Sequence, residues 1–243
     1  MKLLALIQEA LRGLGLKPPD DSSQSTKRRY SERMSQALAY AFAHELRSRG
    51  LADTRPAPDG VVGGSGAERR LSGGLGAKKV DVSWATEEAG LLLGMSIKTI
   101  NFRDGKTGNF QKNLTNRRGD MLFEAVTLHR RFPYATLVGV LCLDAQATRD
   151  ATNKRKSTFQ NAHPRLLLFS DRKDPAGREE QFEFFYIALV DAEKGPATFK
   201  LYRVGHPGTE LSLDDALKDI LLLLAERNPD FYQFKDGKLQ KAD

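Results

Sequence analysis

From residue 79 to residue 100 the chain alternates between apolar and polar positions. Val80, Val82 and Trp84 fall on one parity, Asp81 and Ser83 on the other. This is the two-residue period of a strand with unlike faces. Beyond 86–89 a second run carries Leu91, Leu93, Met95 and Ile97 on one parity and Gly94, Ser96 and Lys98 on the other. The two runs predict a β-hairpin. With an even loop, Asp81 lies beside Ser96 or Gly94, and Asp81, Ser96 and Lys98 share the polar face.

Other segments have other periods. Residues 1–14 are apolar at Leu3, Leu4, Ile7, Ala10, Leu11 and Leu14, a helical spacing. Residues 17–27, with Pro18, Pro19 and several serines, read as a linker. A long helix is expected over 31–49, stopped by Gly50, and a long Gly/Pro-rich loop over 51–76. Residues 101–119 form a polar, basic loop. Residues 120–132 form a second amphipathic helix with Met121, Ala125, Leu128 and Phe132 as its seam. The continuous apolar run 134–143 predicts a strand buried on both faces. A further helix is expected in 157–170 and strands in 181–190 and 198–204. A last helix, capped by Ser212 with Asp215 three residues on, runs to 226. Helix, strand, strand, helix, strand is an α/β order.

The 243 residues, 40% of them hydrophobic, suffice for one large domain. The net charge of +7 and a pI near 9.5 suit a polyanionic partner. The single cysteine, Cys142, excludes an internal disulfide framework and a Cys-based zinc site, and its apolar surroundings predict a buried thiol. Gln8, Glu9 and Arg12 interrupt the first apolar segment and no small-residue cleavage site follows. Residues 1–14 therefore read as an amphipathic helix rather than a signal peptide. With no transmembrane run, a cytoplasmic location without membrane contact is expected.

An acid on one strand and a lysine on the next can place a divalent metal and a cation around one phosphodiester, the minimum for a metal-dependent nuclease. The plain alternative is the solvated face of a half-buried hairpin. Mg²⁺ prefers several oxygen ligands, so further carboxylates matter. On the 31–49 helix Met34, Leu38, Ala41 and Phe42 define an apolar arc that includes Glu45, while Glu32 lies nearly opposite. A glutamate in a core-facing stripe is costly unless paired or metal-bound. An arginine partner or a metal would each satisfy it. On the 120–132 helix Asp120 and Glu124 share a face and either can reach the strands, or remain solvated. Other signals fail. Gly105-Lys106-Thr107 lacks the earlier glycine of a phosphate loop, since position 100 is Ile100. The glycines of 63–66 and 73–76 form no dinucleotide fingerprint. His44, His129, His163 and His206 show no metal-ligand spacing.

Glu45 on a helix, then Val80-Asp81, then a strand ending Ser96-Ile97-Lys98, then a helix and a buried strand resembles the PD-(D/E)XK nuclease superfamily, in its type II restriction endonuclease flavour. The resemblance covers about 31–144. It implies a restriction-endonuclease-like core, a four- to five-stranded mixed sheet flanked by helices with a C-terminal elaboration. Residues 1–27 would be an N-terminal helix and linker, and 28–243 a single nuclease domain. It implies Mg²⁺-dependent DNA hydrolysis, with Mn²⁺ able to substitute. Asp81 matches the metal-binding aspartate, Lys98 the lysine that positions or activates the attacking water, the Ile97 carbonyl a further ligand and Glu45 the first-helix glutamate. Two positions depart from the pattern. Val80 replaces the proline, a harmless change. Ser96 replaces the second acid and supplies no charge; some members with Ser-x-Lys recruit a glutamate from the following helix, and Glu124 is the candidate here. Without such a carboxylate the domain would bind DNA without cutting it.

The expected nucleic-acid surface follows the lysine strand. Arg103, Lys106, Lys112, Arg117 and Arg118 suit phosphates. Gln111, Asn113 and Asn116 suit phosphates or base edges. Phe102 and Phe110 read as loop anchors. Arg69, Arg70, Lys78 and Lys79 precede Asp81 and are placed in the same groove; the run 149–156 extends the footprint or is plain surface. The expected partner is double-stranded DNA. By resemblance a homodimer with two-fold symmetry is expected, together with a cognate methyltransferase or a defence-complex subunit. A structure-specific repair or processing nuclease and a catalytically silent DNA-binding module are the alternatives to a restriction endonuclease.

Overall fold

The structure, a computed structural model, describes residues 2–58 and 69–242. The part of the expected long loop at 59–68, with the glycines of 63–66, lies outside the described residues. The elements are α1 (Lys2–Leu14), α2 (Gln24–Ser48), β1 (Arg69–Gly73), β2 (Gly76–Val80), β3 (Val82–Thr86), β4 (Gly90–Ile100), α3 (Leu114–Arg131), β5 (Thr136–Asp144), α4 (Thr158–Leu167), β6 (Phe184–Asp191), β7 (Thr198–Arg203), β8 (Glu210–Leu211), α5 (Leu213–Arg227), β9 (Tyr232–Lys235) and β10 (Lys238–Lys241).

Six strands form one mixed sheet in the order β3-β4-β5-β6-β7-β8. Strands β4, β5 and β6 run parallel; β3, β7 and β8 are antiparallel to their neighbours. The sheet is thus wider than the four or five strands expected, because β7 and β8 extend it beyond β6. Strand β5 is buried at every position, as a central strand covered on both faces must be. One apolar layer joins α1, α2 and α5 to the sheet, and a second joins α3 and α4 to its other face. The result is a three-layer α/β/α arrangement.

Several boundaries differ from the sequence reading. Helix α2 begins at Gln24, where the Ser23 hydroxyl accepts the Thr26 amide at 3.2 Å as a cap. Helix α3 begins at Leu114 instead of near 120; Leu114 is fully buried there while Thr115 and Asn116 face solvent. A first turn with one apolar contact and a polar remainder looks like loop in sequence. The segment 1–27 is not an appendage. Leu3, Ile7 and Leu11 belong to the same buried cluster as α2, α5 and the sheet. The expected linker is a strap, with the Lys17 amide donating to the Ala192 carbonyl at 3.0 Å and the Lys17 ammonium 2.6 Å from Asp144. Cys142 is buried as expected, and burial pushes its thiol up to about 12.

A buried ionic knot closes the start of the parallel strands. Glu183 Oε1 accepts from Arg172 at 2.9 Å and from Arg227 at 2.8 Å. Its Oε2 accepts the Leu137 amide at 2.7 Å and lies 3.3 Å from His129 Nε2. Four separate segments meet on this one carboxylate. Burial pushes the carboxyl up, but His129, Arg227 and the Leu137 amide outweigh it, and the net direction is below the usual 4.5. A depressed folded value contributes stability that is complete above the unfolded value and is lost as pH falls through the folded one. Glu183→Gln, which strands two buried guanidinium groups, is expected to cost about 3–5 kcal/mol at neutral pH in urea unfolding. The gap to wild type should narrow in acid as the wild-type carboxyl protonates; a gap that does not change with pH would contradict this account.

Candidate active site

The register of β3 on β4 decides where Asp81 sits. Thr86 pairs with Gly90 and Ala85 with Leu91, so the connecting loop is 87–89, an odd length. Continued unchanged, that register would bring Asp81 opposite Met95. Between Trp84 and Ala85 the register shifts by one, leaving Leu92 as the extra residue, and Val82 then pairs with Met95. The next position back, Asp81, falls beside Ser96. A β-bulge thus restores the parity that the loop breaks. It also moves Leu91 off the face of Leu93, Met95 and Ile97. Leu91 joins the α3 side of the sheet, and Val80 joins it there because the chain bends at Asp81. The faces expected for Leu91 and Val80 are thereby corrected.

At the bend the Ile97 amide donates to Asp81 Oδ2 at 2.6 Å. Lys98 Nζ lies 3.6 Å from the same oxygen and 3.3 Å from Glu124 Oε2. The Ser96 hydroxyl donates to Glu124 Oε2 at 3.1 Å. Glu124 arrives from α3, whose Met121, Ala125 and Leu128 pack into the core beside it. It meets Ser96, so the glutamate of the following helix stands beside the position where the acid of the motif is missing. Asp120, its companion on the sequence, is exposed and 3.5 Å from Arg117.

Burial pulls the Lys98 ammonium down, but Glu124 and Asp81 outweigh it and the net direction is up. Glu124 moves up as well: burial and the Asp81 charge favour its neutral form against the pull of Lys98 and Ser96. Its second oxygen, Oε1, is buried with no hydrogen-bond partner. A buried carboxylate oxygen without a donor is costly, and a cation would satisfy it. Asp81, Glu124 and the Ile97 carbonyl, which leaves its strand on the same edge as the Ile97 amide, are oxygen donors of the kind Mg²⁺ takes. Mg²⁺ characteristically uses one or two carboxylates and completes its shell with water and phosphate. Two carboxylates and a carbonyl would leave the rest of such a shell to water and phosphate; among the described residues no group of three or more His, Cys, Asp or Glu is placed to hold a metal.

The expected role of Glu45 is not supported. Glu45 is buried, and its Oε1 accepts from Arg49 at 2.8 Å; Arg49 in turn contacts Asp214. Neither Glu45 nor Glu124 lines the cleft that opens above the cluster. Glu124 nevertheless touches Lys98 and Ser96 at its floor, whereas Glu45 is paired with Arg49 and its Oε2 is buried without a hydrogen-bond partner. The glutamate of α2 that lines the cleft is Glu32, whose exposed face was the reason it was set aside.

Above the cluster opens a cleft of about 940 Å³. Asp81, Ile97 and Lys98 lie on its floor. Lys79, Arg103, Lys112, Asn113 and Arg117 line it as expected. Lys78 instead covers the exposed Phe123 ring, 4.5 Å from its centroid, and Arg118 covers Phe169 at 5.8 Å. Lys106 and Asn116 are exposed outside the cleft lining, and the Gln111 amide nitrogen is buried. The side chains of Arg69 and Arg70 lie outside what is described. From the third basic run Arg155 turns inward and donates to the Asp150 backbone carbonyl, while the Asp150 carboxylate accepts the Phe110 amide at 3.1 Å and the Thr158 amide at 2.7 Å. Phe110 is buried and anchors the loop, as expected.

Two contributors escaped the sequence reading. Asp104 enters the cleft wall and is held down to about 2 by Lys112, 2.5 Å away, and by the Thr107 amide. The polar face of α2 forms the facing wall with Lys27, Arg28, Ser31 and Ser35 among its residues. Ser31 and Ser35 fell within the expected helix, but Lys27 was read as linker and Arg28 lay before the expected start at 31, so the sequence reading did not join them into one face.

No family model matches the chain, and no curated protein or solved structure matches it. Geometry alone therefore carries the metal assignment, which is testable without activity. Thermal unfolding with Mn²⁺ should show a rise for wild type, because an ion that binds only the folded state stabilises it. The rise should be lost in Asp81→Asn and Glu124→Gln and kept in Glu45→Gln. Loss in Glu45→Gln alone would reverse the assignment.

Proposed function

We propose that the chain is a Mg²⁺-dependent DNA endonuclease with a restriction-endonuclease-like core, acting in restriction or host defence. One observation carries the reading: Lys98 is held within 3.3 Å of Glu124 and 3.6 Å of Asp81 on the floor of a cleft walled by basic side chains. Lysine between two carboxylates is also a plain ion pair. The Ser96 hydrogen bond that turns Glu124 toward Lys98, and the cleft that opens over Lys98 and Asp81, favour the nuclease reading.

Asp81, Glu124 and the Ile97 carbonyl would hold Mg²⁺, which when bound supplies Lewis-acid polarisation of the phosphate and a lowered pKa for water. Lys98 keeps a positive charge at the place where negative charge grows on phosphorus oxygens, and its two carboxylates fix it there before substrate arrives. Ser96 keeps Glu124 turned toward the lysine. Arg103, Lys112 and Arg117 orient the backbone so that water and the leaving 3′-oxygen are in line.

Cleavage of supercoiled plasmid with Mg²⁺, Mn²⁺ or EDTA tests the reading. Asp81→Ala, Lys98→Ala and Glu124→Ala should each lower the rate by at least about 10²-fold. Discrete fragments would support a restriction enzyme and diffuse degradation a processing nuclease. A swap gives a sharper check. Ser96→Asp should lower activity by placing a like charge beside Glu124, and adding Glu124→Ser should restore part of it, since either position can then supply the acid. Cleavage that survives Asp81→Ala would sink the assignment; binding without cleavage in wild type would leave a silent DNA-binding module.

A further inference from the structure

We infer that the polar face of α2 is a second phosphate-binding wall and that the cleft takes duplex DNA by its backbone; this rests on the nuclease reading and extends it. Lys27 and Arg28 are neighbours, and Ser31 and Ser35 follow them three to four and seven to eight residues on, so the four lie on one broad face of the helix. This face looks toward Lys112 and Arg117 across the floor of the cleft. It is fixed in that direction. Tyr30, Met34 and Leu38 are buried behind it, and Asn101, at the end of β4, donates to Ser31 Oγ at 3.1 Å. Ammonium, guanidinium and hydroxyl groups are the usual partners of phosphate oxygens. Arg28 has 81% of its side chain exposed and, among the described residues, pairs with Glu32 on its own helix, a solvated i, i+4 contact that a phosphate can displace.

The aromatic residues of the cleft decide between a duplex and a stacked single strand. Binding of unpaired bases generally uses exposed rings as platforms. The two aromatic residues in the cleft lining are Phe102 and Phe110. Phe110 is 1% exposed, with the Arg103 guanidinium 5.1 Å from its ring centroid. Phe102 has the ammonium groups of Lys17 and Lys27 over its ring at 5.7 and 5.9 Å and the edge of Tyr30 against it. Phe110 is closed to a base, and the half-buried Phe102 ring is already occupied by the two ammonium groups. Cations stand over both, so among the described residues the cleft presents charge on either side and no uncovered ring, which fits a polymer whose bases are already stacked on each other.

The test is binding of a labelled duplex and of the same strand unpaired, in EDTA so that nothing is cut, over a salt series read by fluorescence anisotropy. Wild type should bind the duplex more tightly than the single strand. Arg28→Gln should reduce the log–log salt slope by about 1, the signature of one lost phosphate contact. Ser35→Glu should weaken duplex binding by repulsion, and Arg33→Gln, exposed on the same helix but outside the cleft lining, should change neither. Circular dichroism checks that each variant is folded. A slope and affinity unchanged in Arg28→Gln and Ser35→Glu, with wild type binding duplex, overturns the α2 wall and leaves the nuclease reading standing. Tighter binding of the single strand overturns the duplex assignment. Absence of any DNA binding by folded wild type at low salt overturns the nuclease reading and this inference with it.

Discussion

A lysine ammonium withdrawn from water must recover in fixed charges what it loses in hydration. Lys98, its side chain only 20% exposed, does so with Asp81 and Glu124, which come from a bend before one strand and from a helix on one face of the sheet. That requirement constrains much of the fold around it. Strand β3 must meet β4 in the register that the bulge at Leu92 supplies. Helix α3 must lie close enough for Glu124 to reach Ser96. Gly139, paired with Ser96 on the neighbouring strand, helps allow this: a Cβ there would stand 3.1 Å from the Met121 side chain of α3 and 2.9 Å from Phe185. A larger residue there would have to displace the Phe185 ring and the end of the Met121 side chain, which packs α3 against the sheet.

Three charged clusters lie in or around the sheet, and their bookkeeping of polar atoms separates them. In the Glu183 knot both carboxylate oxygens are occupied, by Arg172 and Arg227 on one side and the Leu137 amide on the other. Around Lys17, Asp144 is satisfied by the ammonium and by the Gln146 amide, and Glu193 by the same lysine. Gln146 also accepts from Arg103, so this second cluster ties the 15–23 strap to the cleft wall. In both the carboxylate oxygens are satisfied and they read as structure, although His129 Nε2, Arg172 Nε and Arg227 Nε and Nη2 of the knot are themselves buried without a hydrogen-bond partner. The Lys98 cluster leaves Glu124 Oε1 buried without a partner. Buried polar groups that remain unpaired in a folded protein ask for an explanation, and a charged group perturbed by burial and by specific neighbours is where chemistry is sought.

What could be read from the sequence followed from period. The alternation at 79–84 and 90–100 located the strand pair and placed Asp81, Ser96 and Lys98 together, because a two-residue repeat survives in the residue types. The bulge was invisible. Leu91, Leu92 and Leu93 are all apolar, so a one-residue shift among them leaves no trace in the pattern. The start of α3 was hidden by polar residues that the helix turns to solvent. Glu45 was correctly read as a buried carboxylate, and Arg49 four residues on offered an ion pair to one of its oxygens, while Oε2 is buried without a hydrogen-bond partner. Preferring a metal there meant favouring the remote partner over the adjacent one. Glu124 was found through its helical face and its possible replacement of the acid missing at Ser96. Composition alone would not have distinguished it from Asp120.

The placement of the cluster follows from a mismatch in strand length. Strand β3 pairs with β4 only as far as Met95, whereas β5 pairs with β4 through to Ile100. Beyond Met95 the β4 edge facing away from β5 is no longer held by β3, and one of its amides, that of Ile97, is taken by the Asp81 carboxylate instead of by a strand. An unpaired sheet edge is ordinarily a liability that side chains must cover. Here α2 covers the end through the Asn101–Ser31 hydrogen bond, while the stretch between, at Ile97 and Lys98, opens into the cleft. Side chains are fixed there by a strand that is rigid on one edge and accessible on the other. Such a position holds charged groups in place without burying them completely, and it leaves the walls, made of α2 and the 101–113 segment, free to differ in sequence without disturbing the floor.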